Sequence, residues 1–456
     1  MNIYDRVFYH IYPLGFCGAP RRNDFVSPAG TGLKSIAEHI PRLLDLGINA
    51  LYLGPLFEST AHGYDTLDYF HVDRRLGSNA DLKMLTEKLH AHGIMVILDG
   101  VLNHSGRYFF AFKDVQEKRE ASPYRDWFSG LDFGRHNPLG DPFTYHTWAG
   151  ALDLVKLNGH NSSVRSHLFG AVKFWIDEFA VDGLRLDAAD QLLPGFMDEL
   201  SAVIKTKKRD FWLMGEVVSG DYRAWARPGR LDSVTNYELY KGLWSSLNDR
   251  NFYELSWTLN RQFGAEGLYR DIPLYNFVDN HDVHRASSIL VNPVHIFLLY
   301  GLLFTVPGIP SVYYGSEYGI RGTRTENDDS VLRPAWRHDS GQYPDENTPP
   351  IDSKSLADAI TRLAMIRKNS AALREGTYRE LYRSHAQFAF LRTAENETVI
   401  IAVNSDPGEA RFLVNTREMG FTRWCDLLNG GEFHSMNGSM DVPVFPAWLR
   451  ILKGIA

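Results

Sequence analysis

Three acidic residues each close a short hydrophobic run: Asp187 in GLRLDAAD, Glu216 in FWLMGEVV and Asp282 in LYNFVDNHDVHR. An apolar run of that length reads as a buried strand, and an ionisable residue at its end stands where the strand gives way to a loop. Parallel α/β barrels place their active sites at the C-terminal ends of the strands, with different strands each supplying a residue. Several carboxylates converging there, with no metal spacing or phosphate loop beside them, suit acid/base and nucleophilic chemistry on a neutral substrate. Cleavage of a glycosidic bond by paired carboxyl groups is the main candidate. Arg185 precedes Asp187 by two positions, so on a strand both side chains share a face. A fixed guanidinium there would keep the carboxylate ionised.

The segments that must position these groups alternate between two textures. VFYHIYPLGF, ALYLGP, IMVILDG, VDGLRLD, FWLMGEV, LDSVTN, LYNFVDN and PSVYYG read as strands. LKSIAEHIPRLLDLGI, DLKMLTEKLHAHG, VRSHLFGAVKFWIDEFA, LLPGFMDELSAVIKT and SLADAITRLAMIRKN read as helices. Eight strands in right-handed βαβ repetition predict an α/β fold, a (β/α)8 TIM barrel built from residues 1–103 and 161–375. Two connections are too long for ordinary loops. Residues 104–160, after the third strand, form an inserted loop domain rich in aromatic side chains, among them Phe109, Trp127, Phe143 and Trp148. Residues from about 316 to 354 are polar and rich in Gly, Asp and Pro. Beyond 376 the short alternating runs TYRELYRS, QFAFLRT, TVIIAVNS and ARFLVN predict a C-terminal antiparallel β domain, sandwich-like, over 376–456.

Composition sets limits on partners. The 456 residues are 44% hydrophobic and 23% charged, as expected of a chain that buries a large core. The net charge of −7 and the lack of a basic run leave no footprint for nucleic acid or an anionic membrane surface. No stretch has the length of a membrane helix. MNIYDRVFYHIYP carries an acid early and runs into a strand-like segment, unlike a signal peptide, so a cytoplasmic location is expected. Cys17 and Cys425 are the only cysteines and do not make a disulfide framework. None of the 17 histidines falls in a strong metal spacing, GTGLKS fits no phosphate fingerprint in full, and there is no GxSxG elbow.

Four blocks in order, DGVLNH (Asp99 to His104), GLRLDAAD, GEVV and FVDNHD, together with HGYDTLDY, KLN and GIPSVYYGSEYG, resemble the α-amylase superfamily, glycoside hydrolase family thirteen. NHSGRYFFAF, SPYRDWF and KLN are similar to cyclomaltodextrinases and neopullulanases. The resemblance implies Asp187 as nucleophile, Glu216 as general acid/base and Asp282 as the acid that grips the sugar hydroxyls most tightly in the transition state. It implies sugar contacts by His104 and His281, a stacking surface at Tyr64, and a grip on the preceding glucose by Asp329 and Arg333. Asn103 falls where many members ligate calcium; the other ligands cannot be picked out, so a structural calcium stays undecided. No cofactor is implied for the chemistry.

The chain departs from the family pattern at Val217, where many members have an aromatic, at Asp190 and Gln191, where many amylases have a lysine–histidine pair, and at His10, where glutamine is usual. These positions bear on the acceptor side. Because the barrel starts at about residue 7, neither the N-terminal β domain of neopullulanase-type enzymes nor its dimer is assumed, and the oligomeric state is open.

The expected function is therefore retaining hydrolysis of α-1,4 bonds in maltodextrins or cyclodextrins, with an α-glucan oligosaccharide as partner and transglycosylation open. The same triad serves transferases, sucrose-active enzymes and trehalose-forming isomerases, and a catalytically dead carbohydrate-binding barrel is the alternative of another class. Structural roles compete residue by residue. Asp187 has the composition of a helix cap before Gln191, Asp282 could pair with His284 or Arg285, and Asp329 with Arg333 could be a surface ion pair.

Overall fold

Eight short strands whose residues are almost all buried lie parallel in one sheet. They are β1 (Phe8–Ile11), β2 (Ala50–Leu53), β3 (Met95–Gly100), β4 (Gly183–Leu186), β5 (Trp212–Gly215), β6 (Ser233–Val234), β7 (Tyr275–Phe277) and β8 (Ile309–Tyr313). Burial on both faces is why they read as continuous apolar runs rather than alternating ones. The hydrogen-bonded order β7-β8-β1-β2-β3-β4-β5-β6 is closed by a parallel bridge between Thr235 and Tyr275, with Asn236 N–H donating to the Tyr275 carbonyl at 2.9 Å. The result is the expected (β/α)8 barrel. This computed structural model describes residues 2–326, 328–336, 347 and 349–455. Much of the polar segment expected over 316–354, residues 337–346 in particular, lies outside the described residues.

Several elements differ from the sequence expectation; VFYHIYPLGF, for one, is a strand only over Phe8–Ile11, and Pro13–Phe16 is helical. LDSVTN contributes only Ser233–Val234 to the ladder. Thr235 turns its hydroxyl to the Val217 N–H, and Asn236 leaves the strand to cap the helix Tyr237–Asn248 through the Leu239 N–H. The helix expected over LKSIAEHIPRLLDLGI is two, Gly32–Glu38 and Ile40–Asp45. Pro41 can donate no helical hydrogen bond, and the chain breaks at His39 just before it.

The segment after β3 forms an antiparallel sheet of His104–Gly106, Ala151–Lys156 and Thr147–Trp148. Its aromatics order it: Phe112 packs edge-on against Phe128, Phe143 and Tyr145 at centroid distances of 5.0–5.9 Å. These rings join the barrel's core cluster and do not form a separate one. Arg107 clamps the far side through Asp141, at 2.5 and 2.8 Å. Asn161 ends the insertion by capping the helix Ser162–Phe179.

Beyond Gly376 a six-stranded antiparallel sheet faces a two-stranded one (Ala410–Asn415 with Ser439–Val444). The strand period of two sorts its side chains. Ala389, Leu391, Ile400 and Ala402 point between the two sheets, whereas Phe388, Phe390, Ile401 and Val403 join the barrel core. Burial on both faces explains why TVIIAVNS has no polar side. Arg392, itself buried, ties this sheet to the barrel by donating to the carbonyls of Thr305 (2.6 Å) and Gly376 (2.9 Å).

Candidate active site

At the C-terminal mouth of the barrel one guanidinium organises three carboxylates. Arg185 on β4 is 3% exposed, so its charge must be met by protein groups. Its Nη1 donates to Asp187 Oδ1 at 2.9 Å and to both oxygens of Asp99 on β3, at 2.9 and 3.0 Å. Its Nη2 lies 2.6 Å from Glu216 Oε1, at the end of β5. Two residues apart on an extended strand, Arg185 and Asp187 share the inward face as expected. Asp187 does not cap a helix. The Ala188 N–H in that loop donates instead to Glu216 Oε2 at 3.0 Å, holding the second carboxylate toward the first.

Burial pushes Asp187 well above the ordinary carboxylate range, assisted by the charges of Glu216, Asp99 and Asp282 and opposed by Arg185. Arg185 thus acts in the expected direction but does not outweigh burial. Asp282, in the loop after β7, behaves oppositely. Burial works against its charge, but His281 (Nε2 at 3.0 Å) and Arg333 (Nη2 at 3.0 Å) hold it well below the usual range. It pairs with neither His284 nor Arg285; the latter is spent on the carbonyls of Tyr314 and Leu332. Arg333 also reaches Asp329 at 3.3 Å and lies over the Tyr12 ring at 4.6 Å. The Asp329–Arg333 pair is thus part of the cleft wall.

Tyr64, Asp99 and His281 interlock. The Tyr64 hydroxyl donates to Asp99 Oδ2 at 3.1 Å and meets His281 Nε2, and its ring stacks on the imidazole at 5.5 Å. His104 is buried, its Nε2 is 3.8 Å from Asp187 Oδ2, and burial followed by the charges of His62 and Lys156 lowers it to about 3. It therefore faces the site as a neutral imidazole.

All nine sequence-predicted residues reach one region: Tyr64, His104, Asp187, Glu216, Asp282, Asp329 and Arg333 line a cleft of about 1480 Å³, with Arg185 and His281 directly behind them. Sequence reasoning passed over three supports. Asp99 figured only as the first letter of a block, although an acid ending the apolar run MVILDG carried the same signal as Asp187. Tyr52, whose hydroxyl donates to Asp99 at 2.7 Å, and Tyr237, 3.4 Å from Glu216, gave no signal distinct from core aromatics.

On the acceptor side, Val217 is fully buried with its N–H on Thr235, while Val218 is 54% exposed and lines the cleft. The residue at 217 therefore does not face the cleft, and Val218 forms that part of its wall. His10 lies under the floor, stacked on Tyr52 at 4.2 Å. Asn103, where calcium was left undecided, presents its Oδ1 to the Lys156 ammonium at 2.8 Å, an arrangement that does not fit a metal ligand.

Comparison with known proteins agrees with this geometry. The family profile described as "Alpha amylase, catalytic domain" matches residues 10–350. A cyclomaltodextrinase of Bacillus sp is 31% identical over 424 residues, covering 88% of this chain and 73% of the relative. Neopullulanase 2 of Thermoactinomyces vulgaris is 29% identical, covering 97% and 76%. The solved structure of the Arthrobacter globiformis cyclic alpha-maltosyl-(1-->6)-maltose hydrolase, in complex with that cyclic sugar, superposes with a TM-score of 0.80 at 27% identity, covering 99% and 98%. Among the described residues no helix is long and apolar enough to cross a membrane.

Proposed function

Since the chain belongs to the α-amylase family of glycoside hydrolases, we propose that it cleaves α-1,4-glucosidic bonds of maltodextrins or cyclodextrins with retention of configuration, through a covalent glycosyl-enzyme on Asp187. The carrying observation is the single guanidinium of Arg185 held between Asp187 and Glu216. Carboxyl groups gripped by two nitrogens of one planar group favour the short retaining separation of about 5–5.5 Å over the roughly 6.5–9.5 Å that admits an inverting water.

In the proposed cycle Glu216 gives its proton to the glycosidic oxygen as that bond breaks, and Asp187 Oδ attacks the anomeric carbon. Water then adds to that carbon, Glu216 takes back a proton, and the bond to Asp187 breaks, so atoms and charge balance. The proton that Glu216 delivers must lie within hydrogen-bond reach of the glycosidic oxygen, and the Ala188 N–H and Arg185 fix the carboxyl group for that transfer. Asp282, kept ionised by His281 and Arg333, grips sugar hydroxyls as the ring flattens, an interaction that raises the chemical rate when it strengthens in the transition state. Tyr64 offers its ring to the apolar face of the same sugar. A cleft of this volume exceeds the roughly 300–1,000 Å³ typical of small-molecule sites and suits an oligosaccharide.

The test is incubation with maltoheptaose or a cyclodextrin, with the anomer released followed by NMR. The α anomer should appear first, and Asp187→Ala should lose turnover by about 10⁴-fold or more while sugar binding persists. Absence of α-configured products from several such glucans overturns the proposal.

A further inference from the structure

We infer that the ammonium of Lys156 occupies the place a divalent cation would take between barrel and insertion, and that through Asn103 it positions His104 against the nucleophile. The inference concerns a junction beside the cleft and does not rest on which glucan is cut.

Three chain segments meet at Lys156 Nζ. It ends the strand Ala151–Lys156 of the insertion and donates to Asn103 Oδ1, in the loop after β3, at 2.8 Å. It also donates to the Gln191 carbonyl, in the loop after β4, at 3.1 Å. An amide oxygen and a backbone carbonyl from separate loops are the hard neutral donors that calcium selects. Here an ammonium already holds both, and a second cation among the same oxygens would face its charge. Among the described residues no three His, Cys, Asp or Glu side chains are placed to hold a metal. The adjoining Leu157 N–H donates to the Asn103 carbonyl at 3.1 Å, so lysine and asparagine are tied by backbone as well.

The contact also decides which way the Asn103 amide faces. With Oδ1 committed to a cation, the NH2 group must be the one meeting His104 Nδ1, at 3.2 Å. Nδ1 then accepts, and the ring hydrogen resides on Nε2, the nitrogen 3.8 Å from Asp187 Oδ2. A buried N–H on the side of the ring that faces the nucleophile is placed to meet a sugar hydroxyl. Lys156 is in this sense a positioning residue.

Thermal unfolding of the purified protein should give the same Tm with EDTA, with added calcium chloride, and with neither. Lys156→Met should lower Tm and reduce kcat/KM on maltoheptaose about tenfold, the worth of one charge-assisted hydrogen bond. Lys156→Arg, which keeps the charge, should lose less of both. Combined with Asn103→Ala, Lys156→Met should add little to the loss from Asn103→Ala alone, because the lysine acts through that amide. A calcium-induced rise or an EDTA-induced fall in wild-type Tm overturns the inference. So does a Lys156→Met protein indistinguishable from wild type, or losses that add fully in the double variant. Should maltoheptaose prove not to be a substrate, the proposed function fails separately and the Tm measurements still decide this one.

Discussion

Asp187 is both the group proposed for attack and the group whose burial opposes its charge. Its folded-state value lies above the ordinary carboxylate one. The stability it contributes is therefore full below the unfolded value, near pH 4, and is lost as pH rises through the folded value. Near neutral pH, well above the unfolded value, the cost of burying this carboxyl group weighs against the fold. Asparagine carries no charge, so Asp187→Asn should raise Tm near neutral pH, and the difference should shrink as the pH approaches about 4. Paired melting curves across that range check it; a Tm gap that widens on acidification contradicts the assignment. Chemistry and stability thus pull in opposite directions at this residue, as expected where an active site is built from buried charge.

At the scale of elements, the site depends on loops that touch each other at backbone distance. The strand His104–Gly106 lies against the loop after β2 that carries Tyr64, with the Gly106 N–H on the Thr66 carbonyl at 2.7 Å. A Cβ at Gly106 would fall 2.3 Å from the Asp65 carbonyl oxygen, which no real contact permits. That loop is already pinned by three N–H groups, of Ala61, His62 and Gly63, on the Asp65 carboxylate. It cannot yield without carrying Tyr64 with it. Gly106→Ala should cost about 1–3 kcal/mol in urea unfolding and raise KM for oligosaccharides. A variant with altered stability and unchanged KM would show that the Tyr64 loop moves independently of the insertion.

Across the whole molecule, the C-terminal sheet shares one apolar core with the barrel. Phe388, Phe390, Leu449 and Ile451 lie in that common cluster. Leu449 fills the space over Gly301 so closely that a Cβ there would be 2.6 Å from Leu449 Cδ1. Gly301→Val, in the helix His295–Thr305, should therefore destabilise the protein by about 1–3 kcal/mol. Barrel and sheet should unfold in a single calorimetric transition, because neither can expose this face alone. Two separated transitions would show that the core is shared only geometrically.

Sequence alone carried the periodicities and the strand-end chemistry. Eight apolar runs alternating with amphipathic segments define a barrel because parallel strands must be covered on both faces. Asp187, Glu216 and Asp282 are legible because an acid at the end of a buried strand has few structural excuses. The break at His39 and the length of β6 follow from the adjoining Pro41 and Thr235–Asn236 and were there to be read, whereas the order at Val217 and Val218 was decided by Thr235, 18 residues away. The same holds for Asp99, for Tyr237 and for the ammonium beside Asn103. Each of those roles depends on contacts between residues 21 to 86 positions apart. A linear pattern records which face a side chain takes, but only the closed barrel determines which other side chain it meets there.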